Sequence, residues 1–299
     1  MARREWPLVV FTLLGQTAVG AFGLTAVPLA FSGRSAAGAA EAGGPSLMFV
    51  LCAGVAALLA VAAVISFLHL GRPWLAFHAA DNIKRSWLSR EIFCLIAFLF
   101  LAAGLAAWLW LRPESAARPG PLRAAVVAAG LSGLAFLYSM VRVYMLETVP
   151  VWRNIHTPAS FLVSALLLGS LGSALVLSGL ADRTAQGGVP SARYQASVAL
   201  IAAAAGLAVT IFLTPLAGVF GARAATLRAR PGKGIVPLIA VRTLLLAGVG
   251  ACVLIHGIGA NPSAPMKARL FLWTALAGAL AAAGVGRWLF YAVYDRIGV

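Results

Sequence analysis

The chain has 299 residues, of which 62% are hydrophobic and only 10% charged, and its formal net charge is +15. Its mean hydropathy of +0.94 and its apolar share exceed those of a soluble domain, where about half of the residues are apolar, and the composition therefore implies a polytopic membrane protein. The basic excess is scattered between hydrophobic segments instead of forming an aromatic-interleaved basic domain, which excludes nucleic acid as a partner and leaves lipid headgroups and an acidic docking partner as counter-charges.

Apolar stretches fall at 6–31, 46–69, 89–111, 122–146, 156–180, 193–218, 236–259 and 268–293. Each reaches the roughly 20 residues that a helix needs to cross the hydrocarbon core. In lipid, the backbone must satisfy its own hydrogen bonds, so these stretches read as helices. The pattern predicts an all-α integral membrane protein with eight transmembrane helices and both termini on the same side. Basic residues precede the first stretch, as in a signal peptide, but the run is too long for the apolar part of one, and a retained helix is expected. The connections at 32–45, 112–121, 181–192 and 220–234 are too short to fold separately, so residues 1–299 are read as a single membrane domain. Small residues crowd the spans, as in 202–206 and 277–281, and allow close helix packing.

With the side that holds both termini called side A, its loops and ends carry 12 Lys and Arg residues against 8 on side B. The positive-inside rule then favours side A as cytoplasmic by a narrow margin. Three further arginines lie within spans. Arg142, Arg242 and Arg287 each sit roughly one to two helical turns below side A. Glu91 begins the third span and His69 ends the second, both also on side A, whereas side B has no comparable set. Any one of these reads equally well as a rim residue whose charged end reaches the interface. Together they mark a candidate site, because ionisable groups inside a membrane are costly unless paired or functional.

The three cysteines, Cys52, Cys94 and Cys252, lie singly within apolar runs, without the clustered spacing of an iron–sulfur or zinc site. No metal site and no cluster is therefore expected in this chain. Of the four histidines, His69, His78 and His156 are near side A, and His256 lies about 30 Å away towards side B. None sits deep in a span as a histidine pair holding haem requires. A haem-binding cytochrome b-type anchor stays open as an alternative, as does a secondary transporter. The latter fits less well, since transporter sites lie at the midplane on broken helices and Gln16 is the most central polar candidate here.

Several stretches, taken in order, resemble the membrane-anchor subunit family of dimethyl sulfoxide reductase-type molybdoenzymes. They are Arg4-Glu5-Trp6-Pro7-Leu8 with Phe11-Thr12-Leu13-Leu14-Gly15-Gln16, then His69-Leu70-Gly71-Arg72-Pro73 with Ala76-Phe77, and Ser89-Arg90-Glu91-Ile92. Met140-Val141-Arg142-Val143-Tyr144 leading to Thr148-Val149-Pro150-Val151-Trp152, and Gly286-Arg287 with Phe290-Tyr291, complete the series. The likeness covers nearly the whole chain. It implies a multi-pass subunit of a bacterial-type inner membrane that binds and oxidises a quinol, with menaquinol expected, and contains no haem or iron–sulfur cluster. Its electrons would pass to an iron–sulfur subunit and then to a molybdopterin catalytic subunit.

By the same resemblance, the family's quinol-site histidine maps onto His69 and its nearby carboxylate onto Glu91. Glu147 stands where the family pattern has an aspartate. The residue types suit the chemistry, since a free histidine has a pKa of about 6.5 and can take and release a proton near neutrality. His69 is the expected base, and Glu91 orients it or relays its proton. Arg72 and Arg142 are candidates to hold the quinone oxygens or neutralise the carboxylates. Trp152, with Trp6 and Trp74, is a candidate to flank the headgroup, although tryptophans at this depth also belong to the lipid interface. The resemblance places the partner subunits outside the cytoplasm, against the direction of the loop charges.

Overall fold

The computed structural model describes residues 6–31, 46–68, 82–113, 119–145, 147, 152–183, 199–200, 202–211, 235–258 and 265–292. All regular structure among them is helical. We label the helices α1 (Trp6–Phe31), α2 (Leu47–Phe67), α3 (Trp87–Leu111), α4 (Pro119–Tyr144), α5 (His156–Arg183), α6 (Ala202–Ile211), α7 (Ile235–Ile258) and α8 (Pro265–Ala292). Seven of these, all except α6, are long and apolar enough to cross a membrane. Of the expected span 193–218, the ten residues of α6 and the helical pair 199–200 are described.

Helix starts follow local chemistry. The Ser46 and Ser86 hydroxyls accept the backbone N–H of Phe49 (3.2 Å) and Ser89 (3.3 Å), capping α2 and α3, as short polar residues do where the first turn leaves donors unpaired. This cap explains why α3 begins at Trp87, two residues before the apolar run expected from 89. Pro119 and Pro265 open α4 and α8 ahead of the expected starts at 122 and 268. Proline is favoured at the first helical position because its missing N–H has no partner there anyway.

A feature that hydropathy does not foretell is a π-helical turn in α1, Phe22–Ala26. Its cause is Pro28, which removes one backbone donor and crowds the preceding turn. The Val27 N–H instead reaches back five residues to the Phe22 carbonyl, and the helix continues to Phe31.

α1 and α5 form the centre of the bundle, with 67% and 61% of their most apolar windows buried, against 22% for both α7 and α8. They run side by side in close backbone contact at two glycines. A Cβ on Gly20 would overlap the Ala165 carbonyl, and one on Gly169 would overlap the backbone of Gly20 and Ala21. The Thr25 hydroxyl donates to Ser173 Oγ across the same seam at 2.7 Å. α4 packs on α1 through Phe11 and Phe136, whose rings meet edge to face at 6.1 Å. α3 packs on α1 through Phe22 and Phe98, also edge to face at 5.5 Å.

α7 and α8 form an antiparallel hairpin. Gly278 faces Val249 and the Leu245 carbonyl, and Gly286 faces the Arg242 guanidinium. An open apolar groove of about 370 Å³ lies on this hairpin, between Val241, Leu245, Gly248 and Val249 of α7 and Thr274 and Gly278 of α8.

Candidate functional site

The C-terminal ends of α4 and α8 meet the N-terminal parts of α3 and α5, where Tyr144, Phe161, Glu91 and Arg287 are buried and Phe290 and Tyr291 half-buried. Tyr144, the last residue of α4, is the hub. Its hydroxyl lies 2.5 Å from that of Tyr291, near the end of α8. Its ring packs against Trp152 (5.9 Å), Phe161 of α5 (5.4 Å), Phe290 (5.7 Å) and Tyr291 (6.0 Å).

Trp152 covers this cluster. Its indole lies flat on Phe290, with centroids 4.8 Å apart and an interplanar angle of 9°, and its Nε1–H donates to the Phe290 carbonyl at 2.9 Å. The Thr157 hydroxyl in turn donates to the Trp152 carbonyl at 2.5 Å, and Asn154 Oδ1 accepts the His156 N–H at 2.8 Å. These bonds hold the turn that leads into α5, so Trp152 ties the α4–α5 connection to the end of α8. Trp152→Ala is expected to lower stability by about 3–5 kcal/mol, as for other buried aromatic truncations. Trp152→Phe keeps the stacked face but orphans one carbonyl, and should cost about 1 kcal/mol. Thermal unfolding of both variants in detergent checks the ratio.

Two charged groups sit within this aromatic shell. Arg287 is 5% exposed, with its guanidinium 3.5 Å above the Phe161 ring and 6.0 Å from that of Phe290. Such cation–ring contacts replace part of the lost hydration. One of its terminal nitrogens, Nη2, has no hydrogen-bond partner among the described residues. Glu91, in the second turn of α3, is 4% exposed and pairs with no cation among the described residues. Both Glu91 and Arg287 lie close enough to Tyr144 to act electrostatically on its hydroxyl. A buried carboxylate without an ion-pair partner is an expensive arrangement in a membrane.

Of the site residues expected from sequence, Glu91 and Trp152 are brought to this cluster. Arg142 is not. It is half-buried on the outer face of the α3–α4 pair, with its guanidinium 4.4 Å from the Trp87 ring and Nη1 donating to the Tyr138 hydroxyl at 3.2 Å. Arg90 stacks on the same Trp87 ring at 4.2 Å and donates to the Ile83 and Lys84 carbonyls, fixing the turn before α3. Glu147 pairs with Arg153 at 3.0 Å on the surface, a contact worth little in solvent. His69 and Arg72, with Trp74 and His78, lie outside the described residues. Gln16 donates through Nε2 to the Met140 sulfur at 3.7 Å, a helix–helix contact one turn below Tyr144.

Tyr144, Tyr291, Phe161 and Phe290 complete the cluster and were not among the residues expected to act. Tyr144 and Phe290-Tyr291 do occur in the stretches that carry the family resemblance, and that was the available signal. Among the described residues, no three His, Cys, Asp or Glu side chains lie close enough to hold a metal ion. The groove on α7 and α8 shares none of its lining with the cluster.

The DMSO reductase anchor subunit (DmsC) family matches residues 1–293. The sequence is 29% identical to the C subunit of anaerobic dimethyl sulfoxide reductase from Escherichia coli K12, over 99% of its own length and 96% of that protein's. It is 32% identical to the YnfH subunit of anaerobic dimethyl sulfoxide reductase from the same organism, over 58% of its own length and 57% of the relative's. Against the C subunit of anaerobic dimethyl sulfoxide reductase from Haemophilus influenzae it is 31% identical, over 58% and 59% of the two sequences. The chain belongs to the DMSO reductase anchor subunit family, and is thus a membrane anchor subunit of a molybdoenzyme of anaerobic respiration.

Proposed function

We propose that this anchor oxidises a quinol, with menaquinol the expected species, in the bacterial inner membrane. It passes the electrons to an iron–sulfur subunit that feeds a molybdopterin catalytic subunit. The observation that carries this reading is Glu91, a buried carboxylate with no cation partner among the described residues, beside a tyrosine hydroxyl pair. Around it, the shell fits a quinol headgroup in chemical type. Aromatic rings can lie against a flat ring, the Tyr144 and Tyr291 hydroxyls can donate or accept, and the buried Arg287 Nη2 has no partner among the described residues.

Oxidation of a quinol releases two protons as well as two electrons, so the protein must take protons from ring hydroxyls. In this reading His69 is the first acceptor, and Glu91 orients it or receives its proton. Arg72 holds a ring oxygen, and Trp152 closes the site on one side. Arg142 then acts on the surface through Trp87 and Tyr138 and not on the ring.

The same reading includes eight membrane crossings, with 193–218 as the sixth, and both termini on one side. Two observations support it: α1 runs parallel to α5, and the end of α8 meets the start of α5. Electron transfer is favoured when donor and acceptor are close, so the partner subunits dock on the face nearest Glu91. Converting His69 to Ala is expected to abolish quinol-driven reduction while the complex still assembles in the membrane. Unchanged quinol turnover in that variant would remove His69 from the site.

A further inference from the structure

Arg242 and Arg287 are neighbours on the α7–α8 hairpin, near enough to act on each other electrostatically, and neither pairs with a carboxylate among the described residues. Arg242 lies against Gly286, whose missing side chain makes room for it. Among the described residues, its Nε is buried without an acceptor, as is Nη2 of Arg287. Two adjacent cations at this depth need a counter-anion, because burying unpaired charge is costly.

The apolar groove lies on the same hairpin. Helical spacing puts Leu245 and Val249 on the same stripe of α7 as Arg242, three and seven residues on, and Gly278 on the same stripe of α8 as Gly286, eight residues before it. The groove lining therefore starts level with Arg242, at Val241, and runs through Leu245 and Gly248 to Cys252, towards the middle of the span. Its rim belongs to the least buried helices of the bundle, with Leu244 72% and Val241 46% exposed. The sequence immediately before α7 adds Arg223, Arg228, Arg230 and Lys233, and clustered basic residues beside a membrane span attract anionic headgroups.

We propose that the α7–α8 hairpin binds one anionic phospholipid, with its phosphate on Arg242, the charge of Arg287 behind it, and one acyl tail in the groove between Val241 and Gly278. The combination of a cationic head site and an apolar channel beside it matches an amphiphile, which distinguishes it from a site for free phosphate. It shares the charge of Arg287 with the redox reading but uses neither Glu91 nor Tyr144, and the groove itself lies outside the aromatic cluster.

The test is native mass spectrometry of the full-length protein released from nanodiscs of phosphatidylglycerol or of phosphatidylcholine. One phosphatidylglycerol should be retained where phosphatidylcholine is lost, and added inorganic phosphate should not displace it. Arg242→Gln should lower retention by about fivefold, the size expected for one lost basic contact at a lipid surface. Gly248→Leu should lower it at least as much, because a Cβ there meets open space within the groove and the added side chain fills it without disturbing the helices. Should Arg242→Gln fail to fold, as judged by circular dichroism, Gly248→Leu decides the matter alone. Equal retention of the two lipids, unchanged retention in Gly248→Leu, or menaquinone retained in place of phospholipid would each overturn the proposal.

Discussion

Glu91→Gln is expected to lower quinol-driven turnover by about 10²- to 10⁴-fold, the usual contribution of a positioned proton acceptor, while the protein still folds and assembles. The amide has nearly the shape of the carboxylate and can still hydrogen-bond, so packing around Tyr144 is kept. What it loses is the capacity to carry a proton. The loss should be confined to reactions that begin with quinol. A dye that donates electrons directly to the catalytic subunit should support turnover at the unaltered rate, which separates a proton-transfer defect from a defect in assembly. Immunoblotting of the membrane fraction for all subunits completes the comparison. Full quinol-driven activity in the variant would mean that Glu91 is buried for some reason other than proton transfer.

The second large effect concerns the fold. Gly20→Ala adds only a methyl group, yet that group would occupy the position of the Ala165 carbonyl. Backbone cannot rotate aside as a side chain can, so α1 and α5 must separate along their most buried seam. Overpacking of this kind costs about 1–3 kcal/mol and more where the backbone must move, a large part of the total stability of an ordinary domain. The Thr25–Ser173 hydrogen bond further along the seam would be strained by the same displacement. Gly54→Ala in α2 and Gly104→Ala in α3 are the controls, because an added Cβ meets nothing within 4 Å at either position. Alanine is the better helix former by about 1 kcal/mol, so both controls should be neutral or slightly stabilising. Unfolding in graded detergent measures all three, and equal stability of Gly20→Ala and the controls would contradict the close seam.

Apolar run length was enough to find seven of the eight expected spans, because a helix in lipid has a minimum length and few ways to hide polar groups. The ends were less legible. Pro119 and Pro265 extend their helices towards polar residues, and an average over hydropathy ignores the favoured place of proline in a first turn. The π turn at Phe22–Ala26 depends on a single missing N–H at Pro28, which leaves no trace in a hydropathy profile.

At the site, Glu91 was conspicuous as a carboxylate within an apolar run, and Arg287 for the same reason. Their common neighbour was not. Tyr144 and Tyr291 are separated by 147 residues, and a tyrosine near a helix end is ordinary at a lipid interface. Only the arrangement of helices distinguishes a tyrosine buried against its partner from one that faces headgroups. Arg142 shows the converse. Two residues from Tyr144 on the same helix, it is rotated by about 200° around the axis and thus stacks on Trp87 outside the cluster.

The Trp152–Phe290 stack has a consequence for biosynthesis. Glu91 and Tyr144 leave the ribosome in the first half of translation, but the ring that seats Trp152 and the hydroxyl that meets Tyr144 arrive only with the last turns of α8. Throughout elongation the carboxylate and the tryptophan wait in an unfinished bundle. A polypeptide cut short by even one late stop codon would possess most of its spans and lack the keystone of this cluster, offering exposed aromatic and charged surface for proteolytic surveillance to recognise.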